Sequence, residues 1–171
     1  NAPKKYWDMY DPNDIQLATN RYQPKNSPKI CMYTYGELRK YTNIPNEKTL
    51  NIPDTTQKRL IHGYNACVSY IDHEIGRLIK ELKKLELYEN SLIIIAGDHG
   101  WQLGEHNLWA KHANFQTSLK VPLIIKEPNQ KETKKIQSIV ELVDLFPTIC
   151  DLCEIPSPEG LEGTSLSPIN I

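Results

Sequence analysis

The sequence predicts an α/β fold, with a mixed or mostly parallel sheet flanked by helices. Three observations carry it: a long amphipathic stretch over 54–87, a short continuous apolar run at Ser91–Ala96, and a polar loop with glycines directly after that run. Helix, buried strand and polar loop in this order suit a sheet whose faces are covered by helices. Ligands of such sheets gather beyond the carboxyl ends of the strands. Chemistry is therefore expected just after Ala96.

The chain of 171 residues carries 20 Lys and Arg against 21 Asp and Glu, a net charge of −1. This balance argues against a nucleic-acid binder held by a general basic field. The longest uninterrupted apolar run, Leu92–Ala96, is far too short to span a bilayer. The length gives room for a single domain.

Residues 1–53 read as an irregular surface segment. Pro3, Pro12, Pro24, Pro28, Pro45 and Pro53 interrupt each candidate element, and one short helical turn is expected near Thr34–Tyr41. Tyr6, Trp7, Tyr10, Tyr22, Tyr33, Tyr35 and Tyr41 make this segment rich in aromatics. So long an irregular stretch suits a segment that lies over another body.

Residues 54–153 read as the helix-strand core. Asp54 or Thr55 can cap a long helix, and Leu60, Ile61, Tyr64, Val68, Ile71, Ile75, Leu78, Ile79, Leu82 and Leu85 follow one helix face. A kink is expected near Gly63 or Gly76. The run Ser91–Ala96 suits a strand buried on both faces, as in a parallel sheet. Val121–Ile125 is a second strand candidate, with Pro122 near its start. Ile136–Glu141 is a third, short and at an edge. Asp144 to Cys153 reads as a helix with Pro147 in its first turn. Residues 154–171 form a tail rich in Pro and Gly.

Four cysteines, Cys31, Cys67, Cys150 and Cys153, frame no zinc ribbon. Cys150-x-x-Cys153 allows a redox pair, but its apolar surroundings favour two small residues on a packed helix.

The loop from Gly97 to Lys111 concentrates the reactive groups. Three of the five histidines, His99, His106 and His112, fall between positions 99 and 112. Asp98 and His99 leave the strand end together, where a carboxylate and an imidazole can reach one cation. Gly97 and Gly100 allow a tight turn. Lys111 adds a compact positive charge suited to an anionic oxygen. Each residue also has a plainer role. Asp98 can form a turn, His99 can be a hydrogen-bonded packing residue, and Lys111 can be solvated. Glu105 and His106 can be a structural pair on the loop, and Trp101 and Trp109 read as packing anchors. Convergence of acid, imidazole, glycines and lysine at one strand end favours chemistry.

Gly97-Asp98-His99-Gly100, Leu103-Gly104-Glu105-His106 and Trp109-Ala110-Lys111 together resemble the C-terminal metal-and-lysine signature of the sulfatases, closest to iduronate-2-sulfatase-like members. The likeness continues in Ala2–Asp8, in Tyr64–Asp72 with Gly76-Arg77-Leu78, in Val121–Ile124, in Glu141–Thr148 and in Glu162–Leu166. It covers nearly the whole chain. The order of motifs is specific, whereas Asp-His-Gly alone is weak.

The resemblance implies part of an alkaline-phosphatase-like α/β sandwich and hydrolysis of a sulfate ester, with sulfated carbohydrate the expected substrate. It implies one calcium ion, with Asp98 and His99 as ligands, and a formylglycine nucleophile. It implies that Lys111 contacts the sulfate, with Glu105 and His106 as outer partners of the site. No Cys-x-Pro-x-Arg or Ser-x-Pro-x-Arg occurs, and the early Asp-Asp metal pair of the family has no counterpart. The expectation is therefore the distal part, residues 1–171, of a single sulfatase catalytic domain, whose nucleophile lies upstream in the rest of the parent chain. Alone, such a piece holds half a metal site and is inactive. Secreted, periplasmic or lysosomal placement is implied by the resemblance only. Two rivals are a phosphodiesterase or phosphonate hydrolase of the same superfamily, and a non-catalytic module.

Overall fold

A computed structural model describes residues 1–32, 36–44 and 52–167. The chain divides into two units, one formed by Asn1–Arg77 with His99–Val121, the other by Leu78–Asp98 with Pro122–Ile171.

In the first unit, the Pro-rich segment is tied down by aromatic packing. Helix α1 (Lys4–Trp7) is a single turn, and three-residue 3-10 turns follow at Pro12–Asp14, Lys29–Cys31 and Leu38–Lys40. The last falls within the helical turn expected near Thr34–Tyr41, whose residues 34 and 35 lie outside the described residues. Helix α2 (Asp54–Lys84) is unbroken, and its residues from Leu78 onward belong to the second unit. It runs on through Gly63 and Gly76, the two candidate kink positions. Gly63 instead admits the Trp7 ring, which a Cβ there would meet at 2.7 Å. Trp7 is held further by His62, whose Nε2 donates to the Trp7 carbonyl at 2.8 Å. The Tyr6 ring packs 5.1 Å from Tyr70, and the Tyr10 hydroxyl bonds Ser69 Oγ at 2.6 Å. Leu38, Ile52 and Trp109 form the buried core, flanked by Leu60, Ile61 and Leu103.

In the second unit, β1 (Ile93–Ala96) pairs with β4 (Leu123–Lys126) in the register Ile93↔Lys126 to Ala96↔Leu123. The pairing is antiparallel, which corrects the mostly parallel option of the mixed or mostly parallel sheet expected. The sheets among the described residues are two antiparallel pairs, β1–β4 here and β2 (Gln102–Leu103) with β3 (Trp109–Ala110) in the first unit. Nor is β1 buried on both faces: its isoleucines are half-buried, Ala96 is exposed, and Ile124 opposite is 57% exposed. The Ile136–Glu141 strand is also absent. That segment is irregular, with a bend at Ser138, and Ile139 is almost fully exposed. Apolar residues alone do not supply the ladder partner that makes a strand.

After the one-turn α3 (Gln116–Leu119) of the first unit, the next helix is α4 (Leu145–Leu152), entered from a 3-10 turn at Leu142–Asp144, with Pro147 in its first turn as expected. Thr148, fully buried, donates to the Asp144 carbonyl at 2.6 Å and accepts from the Leu166 N–H at 2.9 Å. Cys150 is buried on α4, Cys153 is exposed, and both are free thiols. No helix among the described residues is long and apolar enough to cross a membrane.

Candidate functional site

Strand β1 delivers the chain to Gly97, whose N–H donates to the Pro122 carbonyl at 3.0 Å. Asp98 follows with an exposed side chain and belongs to the second unit. His99, Glu105, His106 and Lys111 all belong to the first.

His99 is half-buried, and its Nδ1 lies 2.8 Å from the Gly100 carbonyl. A carbonyl can only accept, so in this contact Nδ1 is the donor. The ring stacks on Trp101 at 6.1 Å. Gly100 has a reason beyond turning: a Cβ there would collide with the Thr117 carbonyl, and its N–H donates to the Ser118 carbonyl at 2.8 Å.

The loop then folds back as a two-residue ladder, β2 (Gln102–Leu103) against β3 (Trp109–Ala110), with Gln102↔Ala110 and Leu103↔Trp109 opposite each other. The reversal uses left-handed backbone at Gly104 (φ 109°), His106 (φ 56°) and Asn107 (φ 58°). Gly104 suits this conformation, whereas the other two tolerate it at some cost. Glu105 stabilises the turn by accepting the Leu103 N–H on Oε2 at 2.7 Å. The His106 N–H donates to the Asn20 carbonyl at 2.8 Å, and its ring packs 4.5 Å from Phe115. Glu105 and His106 therefore each secure the loop through separate contacts.

Leu108, Trp109 and Ala110 are buried, which makes Trp109 the packing anchor expected of it. Ala110 is also left-handed, at φ 68°. A non-glycine residue so placed costs on the order of 1 kcal/mol and persists only where its surroundings impose it. The next residue is Lys111. Its Nζ lies 3.7 Å from Glu37 Oε1, while His112 Nε2 lies 3.1 Å from Glu37 Oε2. Glu37 was not visible as a site residue in the sequence. It stands far from Lys111 along the chain, and the only local hint is the apolar Leu38 beside it.

The Asp98 carboxylate is an oxygen donor of the kind that hard divalent cations take. No cluster of three or more His, Cys, Asp or Glu able to hold a metal exists among the described residues. Also in the first unit, an open groove of about 900 Å³ is lined by Trp7, Lys40, Tyr41, Arg59, Tyr64 and Trp101, among others.

The family profile described as Sulfatase matches residues 7–155. Iduronate 2-sulfatase of Mus musculus is 29% identical over 91% of this chain and 34% of its own length. A sulfatase of Formosa agariphila is 31% identical over 96% of this chain and 32% of its own. The chain thus spans about a third of the length of these curated relatives. Among solved structures, the phosphonate monoester hydrolase of Silicibacter pomeroyi matches with a TM-score of 0.77 and 29% identity, over 98% of this chain and 34% of that one. A protein solved with its substrate D-glucosamine-2-N,6-O-disulfate matches with a TM-score of 0.58 and 28% identity, over 70% of this chain and 25% of that one.

Proposed function

The chain belongs to the sulfatase family, and from that premise we propose that it is the distal part of a catalytic domain that hydrolyses sulfate esters of carbohydrates. The ordered set of motifs around Asp98, His99 and Lys111, inside a family match over residues 7–155, carries the proposal.

Asp98 and His99, side by side at the end of β1, would hold part of a calcium site, with the Asp98 carboxylate as the hard oxygen ligand. When bound, calcium would supply charge to offset that of the sulfate oxygens, and a formylglycine from the rest of the parent chain would supply the nucleophile. Lys111 would place its ammonium against a sulfate oxygen, where negative charge grows during transfer. Glu105 and His106 support the site indirectly, by holding the loop that presents Lys111. The groove with Arg59, Lys40 and aromatic faces has the chemistry of a sulfated sugar: cations for sulfate and flat rings for the pyranose.

The likeness to a phosphonate monoester hydrolase favours a second reading within the same superfamily, cleavage of phosphonate esters. One experiment separates the two. The intact protein is supplied with calcium and assayed for release of inorganic sulfate from D-glucosamine-2-N,6-O-disulfate and p-nitrophenyl sulfate, beside p-nitrophenyl phenylphosphonate. Sulfate release in clear preference is expected. Phosphonate cleavage with the sulfate esters untouched supports the second reading. Folded protein inert toward all three is a non-catalytic module.

A further inference from the structure

We propose that Glu37 is the positioning residue for Lys111, a role that rests on the sulfatase reading above. The Glu37 carboxylate is a two-sided bridge, with Oε1 facing Lys111 Nζ at 3.7 Å and Oε2 facing His112 Nε2 at 3.1 Å. All three residues lie in one unit.

The same core fixes both ends of the bridge. Glu37 precedes the 3-10 turn Leu38–Lys40, and Leu38 packs in one buried cluster with Trp109. Trp109 begins the short strand β3 that ends at the left-handed Ala110, immediately before Lys111. A shift of either backbone would have to disturb that cluster.

As a stabilising contact the pair is minor. Glu37 and Lys111 side chains are each about a third exposed, and such ion pairs contribute roughly 0–1 kcal/mol. Its consequence is for geometry. A lysine side chain has many rotamers, and an ammonium that must meet one oxygen gains from a fixed counter-charge. At 3.7 Å the contact is an ion pair beyond hydrogen-bond range, so it orients the ammonium without occupying its N–H donors. The other oxygen, Oε2, lies 3.1 Å from His112 Nε2.

The test is a double-mutant cycle in the intact calcium-supplied protein with p-nitrophenyl sulfate as substrate. Glu37→Gln keeps the shape and removes the charge, and Glu37→Asp keeps the charge. Expected is a fall in kcat/KM of about 10- to 100-fold for Glu37→Gln, with Tm unchanged and partial recovery in Glu37→Asp. In a Lys111→Ala background, Glu37→Gln should change kcat/KM and the affinity for inorganic sulfate, read by calorimetry, less than about twofold. A silent Glu37→Gln beside a crippled Lys111→Ala overturns the positioning role alone. So does an equal loss in both backgrounds, which marks a structural residue. An active Lys111→Ala overturns the sulfatase assignment of Lys111, and this role with it.

Discussion

Asp144 Oδ1 accepts the Thr164 backbone N–H at 2.9 Å, joining the start of α4 to the C-terminal segment. Its Oδ2 accepts the Glu141 N–H, also at 2.9 Å. These two bonds, Thr164 first, hold the Asp144 carboxyl below its ordinary value, against a smaller upward effect of desolvation. A lowered folded pKa means that the bonds contribute fully above the unfolded value, about 3.9, and that the contribution is lost as pH falls through the folded value. Urea melts below about pH 5 should therefore show stability declining with acid, and Asp144→Asn should flatten that decline. An unchanged slope in the variant would place the acid sensitivity elsewhere.

Lys111→Ala in the intact protein should lower kcat/KM by about 100- to 1,000-fold, the usual loss when one oxyanion-stabilising donor is removed. Its Tm should stay near wild type, because Lys111 is partly exposed. Near-normal turnover would remove Lys111 from the chemistry.

Calcium should raise the Tm of the intact protein, and a chelator should reverse the rise. At 100-fold excess over Kd the linkage is worth about 2.7 kcal/mol. Asp98→Asn should move the calcium midpoint to higher concentration. A midpoint that does not move would exclude Asp98 as a ligand.

Gly100→Ala should destabilise by about 1–3 kcal/mol, the usual range for overpacking, since the added methyl meets the Thr117 carbonyl and backbone cannot swing away as a side chain can. Gly76→Ala is the control. Open space surrounds it on α2, and alanine is the better helix former. Thermal melts that rank the two the other way would contradict the geometry.

What could be read beforehand follows from how far each signal reaches along the chain. Helix α2 was legible because ten apolar residues repeat the helical period, and its observed end at Lys84 falls three residues short of the expected 87. Strand β1 was legible from its isoleucines, trimmed to Ile93–Ala96. The direction of its pairing was not, because apolar side chains do not encode which neighbour supplies the ladder. The reactive loop was found by its motifs, but its shape was hidden: His106, Asn107 and Ala110 take positive φ without being glycines. Glu37 was hidden for another reason, since only tertiary folding brings it near Lys111.

The β1–β4 ribbon has one further consequence. Each strand is paired on one side only among the described residues, so each offers a row of backbone donors and acceptors along its other edge. Ile124 and Ala96 add apolar surface to that ribbon. Expressed by itself, this stretch would act as a template for strand addition, and its colloidal behaviour would depend on concentration.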